Sequence, residues 1–195
     1  MHSDIVLLIG ISLSLGFTPG PNNAVASFSG FNFGIRKTIP LILGVGLGYT
    51  ILVILINFVL ISFFKKYPII QEVIRVLGTF FLIYLAYKIS FSKFSSGTNS
   101  KNPVRFIDTF LFQFINPKGV MAAITLVSNF VKEEDYFISS LIVIIVCSVT
   151  AFLSITSWSF LGKFLRKFAT NNKFIKQFNY AMSFLLVVCV IGFYI

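Results

Sequence analysis

Four long stretches of the chain carry no Asp, Glu, Lys or Arg: Ile5–Ile35, Thr38–Phe64, Tyr136–Gly162 and Gln177–Ile195. A helix needs about 20 apolar residues to cross about 30 Å of hydrocarbon, and each stretch is long enough. Their apolar residues run continuously instead of alternating, which excludes the strands of an outer-membrane barrel. Two weaker spans lie between them. One runs from Ile69 to Ser90 with Glu72 and Arg75 near its start, and the other from Phe106 to Val131 with Lys118 inside it. Of the 195 residues, 56% are hydrophobic and 11% charged, whereas a soluble domain carries about 25% charged residues. A soluble globule, a disordered chain and a secreted disulfide scaffold are therefore excluded. The expected fold is an all-α membrane protein with six transmembrane helices.

The net charge of +10 reads as loop cations that fix topology and meet anionic lipid headgroups, not as a nucleic-acid surface. Eleven of the 16 Lys and Arg lie in three loops: Arg36–Lys37, Lys88–Arg105 and Lys163–Lys176. Lys65, Lys66, Arg75 and Lys132 lie on the other side, next to the acidic Glu133, Glu134 and Asp135. With six spans, this bias places the basic loops in the cytoplasm and both termini outside. No Lys or Arg precedes Arg36, so the first apolar stretch reads as a retained span and not as a cleaved signal peptide. Cys147 and Cys189 sit apart in apolar runs and read as buried thiols, with neither a disulfide nor a metal site implied.

Two of the spans are interrupted. The first contains Thr18-Pro19-Gly20-Pro21-Asn22-Asn23 and the fourth Asn116-Pro117-Lys118-Gly119. Proline removes a donor and clashes with the preceding turn, so neither helix can run through. A polar linker, 92–105, separates residues 1–91 from 106–195, three spans in each half. An odd number of spans inverts the second half relative to the first. Pro/Gly breaks at corresponding positions of two inverted halves point to the substrate site of a secondary transporter. Helices restarting after the breaks aim free N–H groups at a cavity, which suits a carboxylate. Asn22, Asn23 and Asn116 add neutral donors and acceptors. Lys118 is a charge deep in an apolar segment, placed to hold a substrate carboxylate, to pair with an acid, or to snorkel to the interface. These residues suggest a small-molecule site.

Proton coupling has thinner support. Asp4 and Asp108 are the acidic candidates beside Glu72, and all lie near span ends. Two small-residue patterns, Gly30-x-x-x-Gly34 and Gly44-x-Gly46-x-Gly48, allow close helix packing, within one chain or between two copies in a homodimer. The alternatives rank lower. A membrane enzyme needs a catalytic set, and the only histidine is His2. A divalent-metal exporter needs clustered oxygen, nitrogen or sulfur ligands. An assembly subunit without transport would leave the two breaks without a purpose. No cofactor motif is present.

These motifs resemble those of the lysine exporter (LysE/RhtB) family of amino-acid efflux permeases, along essentially the whole chain. Thr18-Pro19-Gly20-Pro21-Asn22 is similar to the family's first-span motif, and Asn116-Pro117-Lys118 to its fourth-span motif. Gly34-x-Arg36 with Gly44 and Gly48, then Arg75-x-x-Gly78 with Leu82-x-Tyr84-Leu85-Ala86-Tyr87-Lys88, resemble its second and third spans. Thr38 and Thr109 stand where the family commonly has glycine. The resemblance implies export of amino acids from the cytoplasm across a bacterial inner membrane, driven by the proton gradient. The expected mechanism is then alternating access about the two breaks, with the amino-acid carboxylate at the free N–H groups and Lys118, and its ammonium at carbonyls freed by the prolines and an asparagine oxygen.

Overall fold

The computed structural model describes residues 2–60, 66–67, 69–90, 104–169, 171–192 and 194. The elements are α1 (His2–Phe17), α2 (Pro21–Phe33), α3 (Ile35–Leu55, continued by a π turn over Ile56–Leu60), α4 (Ile69–Ser90), α5 (Phe106–Ile115), α6 (Pro117–Phe130), α7 (Tyr136–Arg166) and α8 (Asn172–Ile191). No strand occurs among the described residues. Four helices are long and apolar enough to cross a membrane alone. The pairs α1/α2 and α5/α6 pass the same test together but bend by 58° and 61°, which gives four to six spans. Most of the linker 92–105, with Lys93 and Lys101, lies outside the described residues, as does Lys65.

The two bends have one cause. Gly20 is extended (φ −168°, ψ 175°) and Pro21 takes the first turn of α2. Asn116 is extended (φ −84°, ψ 102°) and Pro117 opens α6. A residue before proline is driven off the helical region, while proline itself is well suited to a helix start. Each break therefore ends one helix and begins another. No side chain caps either new N-terminus.

α2 is the most enclosed element: from Pro21 to Phe31 only Asn22 escapes full burial. Its small residues explain how. It runs along α7, where Gly30 lies on the backbone of Ser159 and Gly162 lies on the backbone of Ser27. A Cβ at either glycine would collide with main chain. α3 packs on α5 in the same way, with Gly44 against Thr109 and Phe106, and Gly48 against Phe110. Gly46 receives the ring of Phe152 from α7. α4 pairs with α8 through Ser183, whose Oγ donates to the Ala86 carbonyl at 2.7 Å and accepts from Ser90 at 2.6 Å. The small-residue pattern that includes Gly34 is only half a packing motif. Among the described residues nothing lies within 4 Å of a Cβ placed at Gly34, which instead turns the chain between α2 and α3 at φ 75°, a conformation that glycine adopts freely.

Two main apolar cores lie on either side of the breaks. One gathers Val25 and Phe28 of α2, Leu41, Leu82, Leu85 and Phe112. The other gathers Leu8 of α1, Leu52 and Ile56, Val120 and Leu126 of α6, and Val143. Outward-facing residues are also large and apolar; Phe80, Phe137 and Phe184 are exposed. Such a surface fits hydrocarbon, not water.

Candidate functional site

The breaks meet in the gap between the two cores. Of the ten residues expected there, all but Thr18, Pro19 and Pro117 line a central cavity of about 80 Å³. Pro19 and Pro117 line a larger cavity of about 480 Å³ beside it, which reaches Arg75 and Gly192 at the end that carries the chain termini. Pro21 and Lys118 belong to both. Thr18 enters through its hydrogen bonds. A third cavity, of about 120 Å³, lies toward the basic-loop end and shares Asn22 and Val45 with the central one.

Lys118 reaches back across the break of the first span. Its Nζ donates to the Thr18 carbonyl and Oγ1, each at 2.8 Å, and to the Pro19 carbonyl at 3.3 Å. Gly20 makes room for it, since a Cβ there would sit 2.8 Å from Nζ. Asn23 Nδ2 donates to the Gly16 and Thr18 carbonyls, each at 2.9 Å, and Ser154 Oγ donates to the Gly16 carbonyl at 2.7 Å. The expectation that freed carbonyls await a substrate ammonium is therefore corrected. The chain's own Lys118, Asn23 and Ser154 satisfy them, as buried backbone at membrane depth requires. Lys118 has no acidic partner among the described residues that line the cavity.

Two kinds of group stay open. The α2 and α6 N-termini both reach the cavity through lining residues, Asn22 and Asn23 on one and Lys118 and Gly119 on the other. Their first-turn N–H groups carry no side-chain cap, and helix N-termini attract anions. Asn116 is 2% exposed, and its Oδ1 is buried with no hydrogen-bond partner among the described residues. An unpartnered buried acceptor costs about 1–3 kcal/mol.

Sequence reading missed several walls of the cavity: Ser12, Tyr49, Thr150 and Ser154. Small hydroxyl residues are common in membrane helices, so only packing reveals which of them face the site. Cys147 is a free, buried thiol as expected, but it also lines the cavity. Gln113 was also missed, although a lone amide in an apolar run was a legible signal. It is fully buried and forms a reciprocal pair with Asn22, donating at 3.1 Å and accepting at 2.8 Å, while its Nε2 also donates to the Thr109 carbonyl at 2.7 Å. Replacing it, Gln113→Leu, strands the Asn22 amide; the Thr109 carbonyl keeps its helix partner, the backbone N–H of residue 113. Thermal unfolding in detergent is expected to show a loss of about 2 kcal/mol.

The structure brings neither acidic candidate to the central cavity. Asp4 accepts a 2.6 Å hydrogen bond from Lys132 at the terminal end, and this bond holds the Lys132 ammonium above its ordinary pKa. Asp108 lines the cavity toward the basic loops. Thr38 lies away from all three cavities, bonded to Ser29 at 2.9 Å, whereas Thr109 lines that same basic-end cavity.

The LysE type translocator family matches residues 13–195. The chain is 25% identical over 181 residues to cysteine/O-acetylserine efflux proteins of Escherichia coli (strain K12), Escherichia coli (strain UTI89 / UPEC) and Shigella sonnei (strain Ss046). Each alignment covers 92% of this chain and 92% of the relative. No solved structure matches. With the family match spanning both breaks and all the walls of the cavity but Ser12, the chain belongs to the LysE-type translocators, a transporter and not an enzyme.

Proposed function

We propose that this exporter carries small amino acids with neutral side chains out of the cytoplasm of a bacterium, by alternating access about the central cavity. The observation that carries this reading is the buried, unpartnered acceptor Asn116 Oδ1 beside two helix N-termini without side-chain caps; a small shift of the Asn116 side chain would bring the oxygen to the cavity. The amino-acid carboxylate meets the N–H groups of α2 and α6 with Lys118 beside them, and the ammonium meets Asn116 Oδ1. A water needs about 10–15 Å³ of such space, so the cavity holds about five to eight. That suits a small side chain. No carboxylate lines it among the described residues, so a second cation, as in lysine or arginine, would go unpaired in a place where bare charge is costly. The relatives' names, which specify cysteine and O-acetylserine efflux, agree with a small neutral substrate.

The helix contacts support two inverted halves. α2 of the first broken span packs on α7, the second span of the other half; α5 of the fourth packs on α3, the second span of the first half. Both close pairings lie toward the basic loops, while α6 packs more lightly beside the large cavity at the terminal end. This is the asymmetry of a transporter closed on one side and open on the other. With the basic loops in the cytoplasm of a bacterial inner membrane and both termini outside, this reading makes the conformation one that opens outward. Proton antiport belongs to this reading, although no acid lines the central cavity among the described residues.

The test is export from a bacterium fed dipeptides, with every free amino acid in the medium measured. One or a few small neutral amino acids are expected to accumulate, and Asn116→Ala to lower that export by about tenfold through loss of the ammonium acceptor. Unchanged export from Asn116→Ala, at equal membrane level, would overturn the site.

A further inference from the structure

The cavity toward the basic loops has its own chemistry. It lies between α2, α3, α4 and α5, and its walls carry one cation, Lys88, and one anion, Asp108. Neither forms an ion pair with another described residue. Lys88 Nζ lies 5.9 Å from the centre of the Tyr84 ring, which also lines the cavity. The remaining walls are largely apolar, among them Leu41, Phe81 and Phe112. One positive and one negative group, both exposed and without an ion-pair partner among the described residues, border one small apolar-walled cavity and have the two signs of charge an amino-acid zwitterion carries. The cavity adjoins the central one through Asn22, which lines both. At that junction Asn22 is locked to Gln113 of α5 by the reciprocal amide pair.

We infer that this cavity is a second amino-acid site, a loading site on the cytoplasmic side. Lys88 receives the carboxylate and Asp108 the ammonium. The Asn22–Gln113 pair is the door to the central site, since parting it joins the two cavities and frees two amides that can bond the passing amino acid. The inference rests on the proposed amino-acid substrate, and it adds a site the central cavity does not need. Charge-assisted hydrogen bonds at the loading site favour capture at low cytoplasmic concentration, while the rate of the turnover step is left to the central cavity.

The test titrates the purified full-length protein in detergent with L-serine and with reduced L-cysteine by calorimetry, beside export measured against cytoplasmic concentration. Wild type is expected to bind two molecules per chain, and Asp108→Asn and Lys88→Gln one each. In both variants the half-saturating concentration for export rises roughly tenfold, as the loss of one charge-assisted contact implies, with the saturating rate within about twofold of wild type. A merely structural role for Asp108 or Lys88 would lower the saturating rate and leave the half-saturating concentration alone, which would overturn the loading site. A single binding event in wild type would also overturn it. Asn116→Ala separates the two readings: it should keep the loading site and lose saturating export. Normal export by Asn116→Ala would remove the central site and leave the loading site standing, and binding of neither amino acid would overturn both.

Discussion

Lys118→Ala is expected to lower export by about 10- to 100-fold without removing the protein from the membrane. The Nζ group does two jobs in the structure. It satisfies the Thr18 and Pro19 carbonyls and supplies the only charge among the described residues that line the central cavity. Losing a charged hydrogen-bonding partner costs about 1.5–3 kcal/mol, which is the stated range of rates at about 1.4 kcal/mol per tenfold. Lys118→Arg should not rescue export. The ammonium fits because position 20 is glycine, with Nζ 2.8 Å from where a Cβ would stand. A planar guanidinium is larger and cannot take the same cradle. Export assays on both variants, with membrane levels measured by immunoblot, check this. An arginine variant at wild-type rate would mean that only charge matters at this position.

The largest stability effect is expected at the crossing of α2 and α7. Gly30→Leu places a side chain directly on the Ser159 backbone, and Gly162→Leu does the same against Ser27. Main chain cannot move aside as a side-chain tip does. Overpacking costs about 1–3 kcal/mol in ordinary cores, and more where no side chain can give way. Each variant should therefore be largely absent from the folded, membrane-inserted pool. Gly34→Leu is the contrast. It has open space but sits at φ 75°, so strain of about 1–3 kcal/mol is its main cost, and its loss should be smaller. Fluorescence size-exclusion in detergent before and after a heat step ranks the three. Equal losses at Gly30 and Gly34 would contradict the crossing.

The spans were legible because apolar runs and prolines report directly on helices and their ends. The third span is the α-helix Ile69–Ser90 in both sequence and structure, and the breaks fall at Pro21 and Pro117 as written. Where partners matter, the sequence was less informative. Gly30 and Gly34 look equivalent along the chain, yet one faces a neighbouring backbone and the other faces open space. Lys118 could be recognised as a costly charge. That it turns back to the carbonyls of its opposite break depends on the meeting of two segments 100 residues apart. Gln113 and Asn22, 91 residues apart, are joined by the same kind of long-range packing. Periodicity cannot see such pairs, because it reports which face of a helix is buried and not against what.

The most direct measurement of the central claim is whether substrate occupies the cavity between the breaks. The first turns of α2 and α6 line that cavity through Asn22, Asn23, Lys118 and Gly119. Hydrogen–deuterium exchange of their amides in the purified protein, read by peptide mass spectrometry, reports on both. Saturating concentrations of the exported amino acid are predicted to slow exchange at these two segments, with the same half-saturating concentration as binding, and Lys118→Ala is predicted to abolish the protection. Unchanged exchange at both breaks while export proceeds would contradict the account and place the substrate path elsewhere in the bundle.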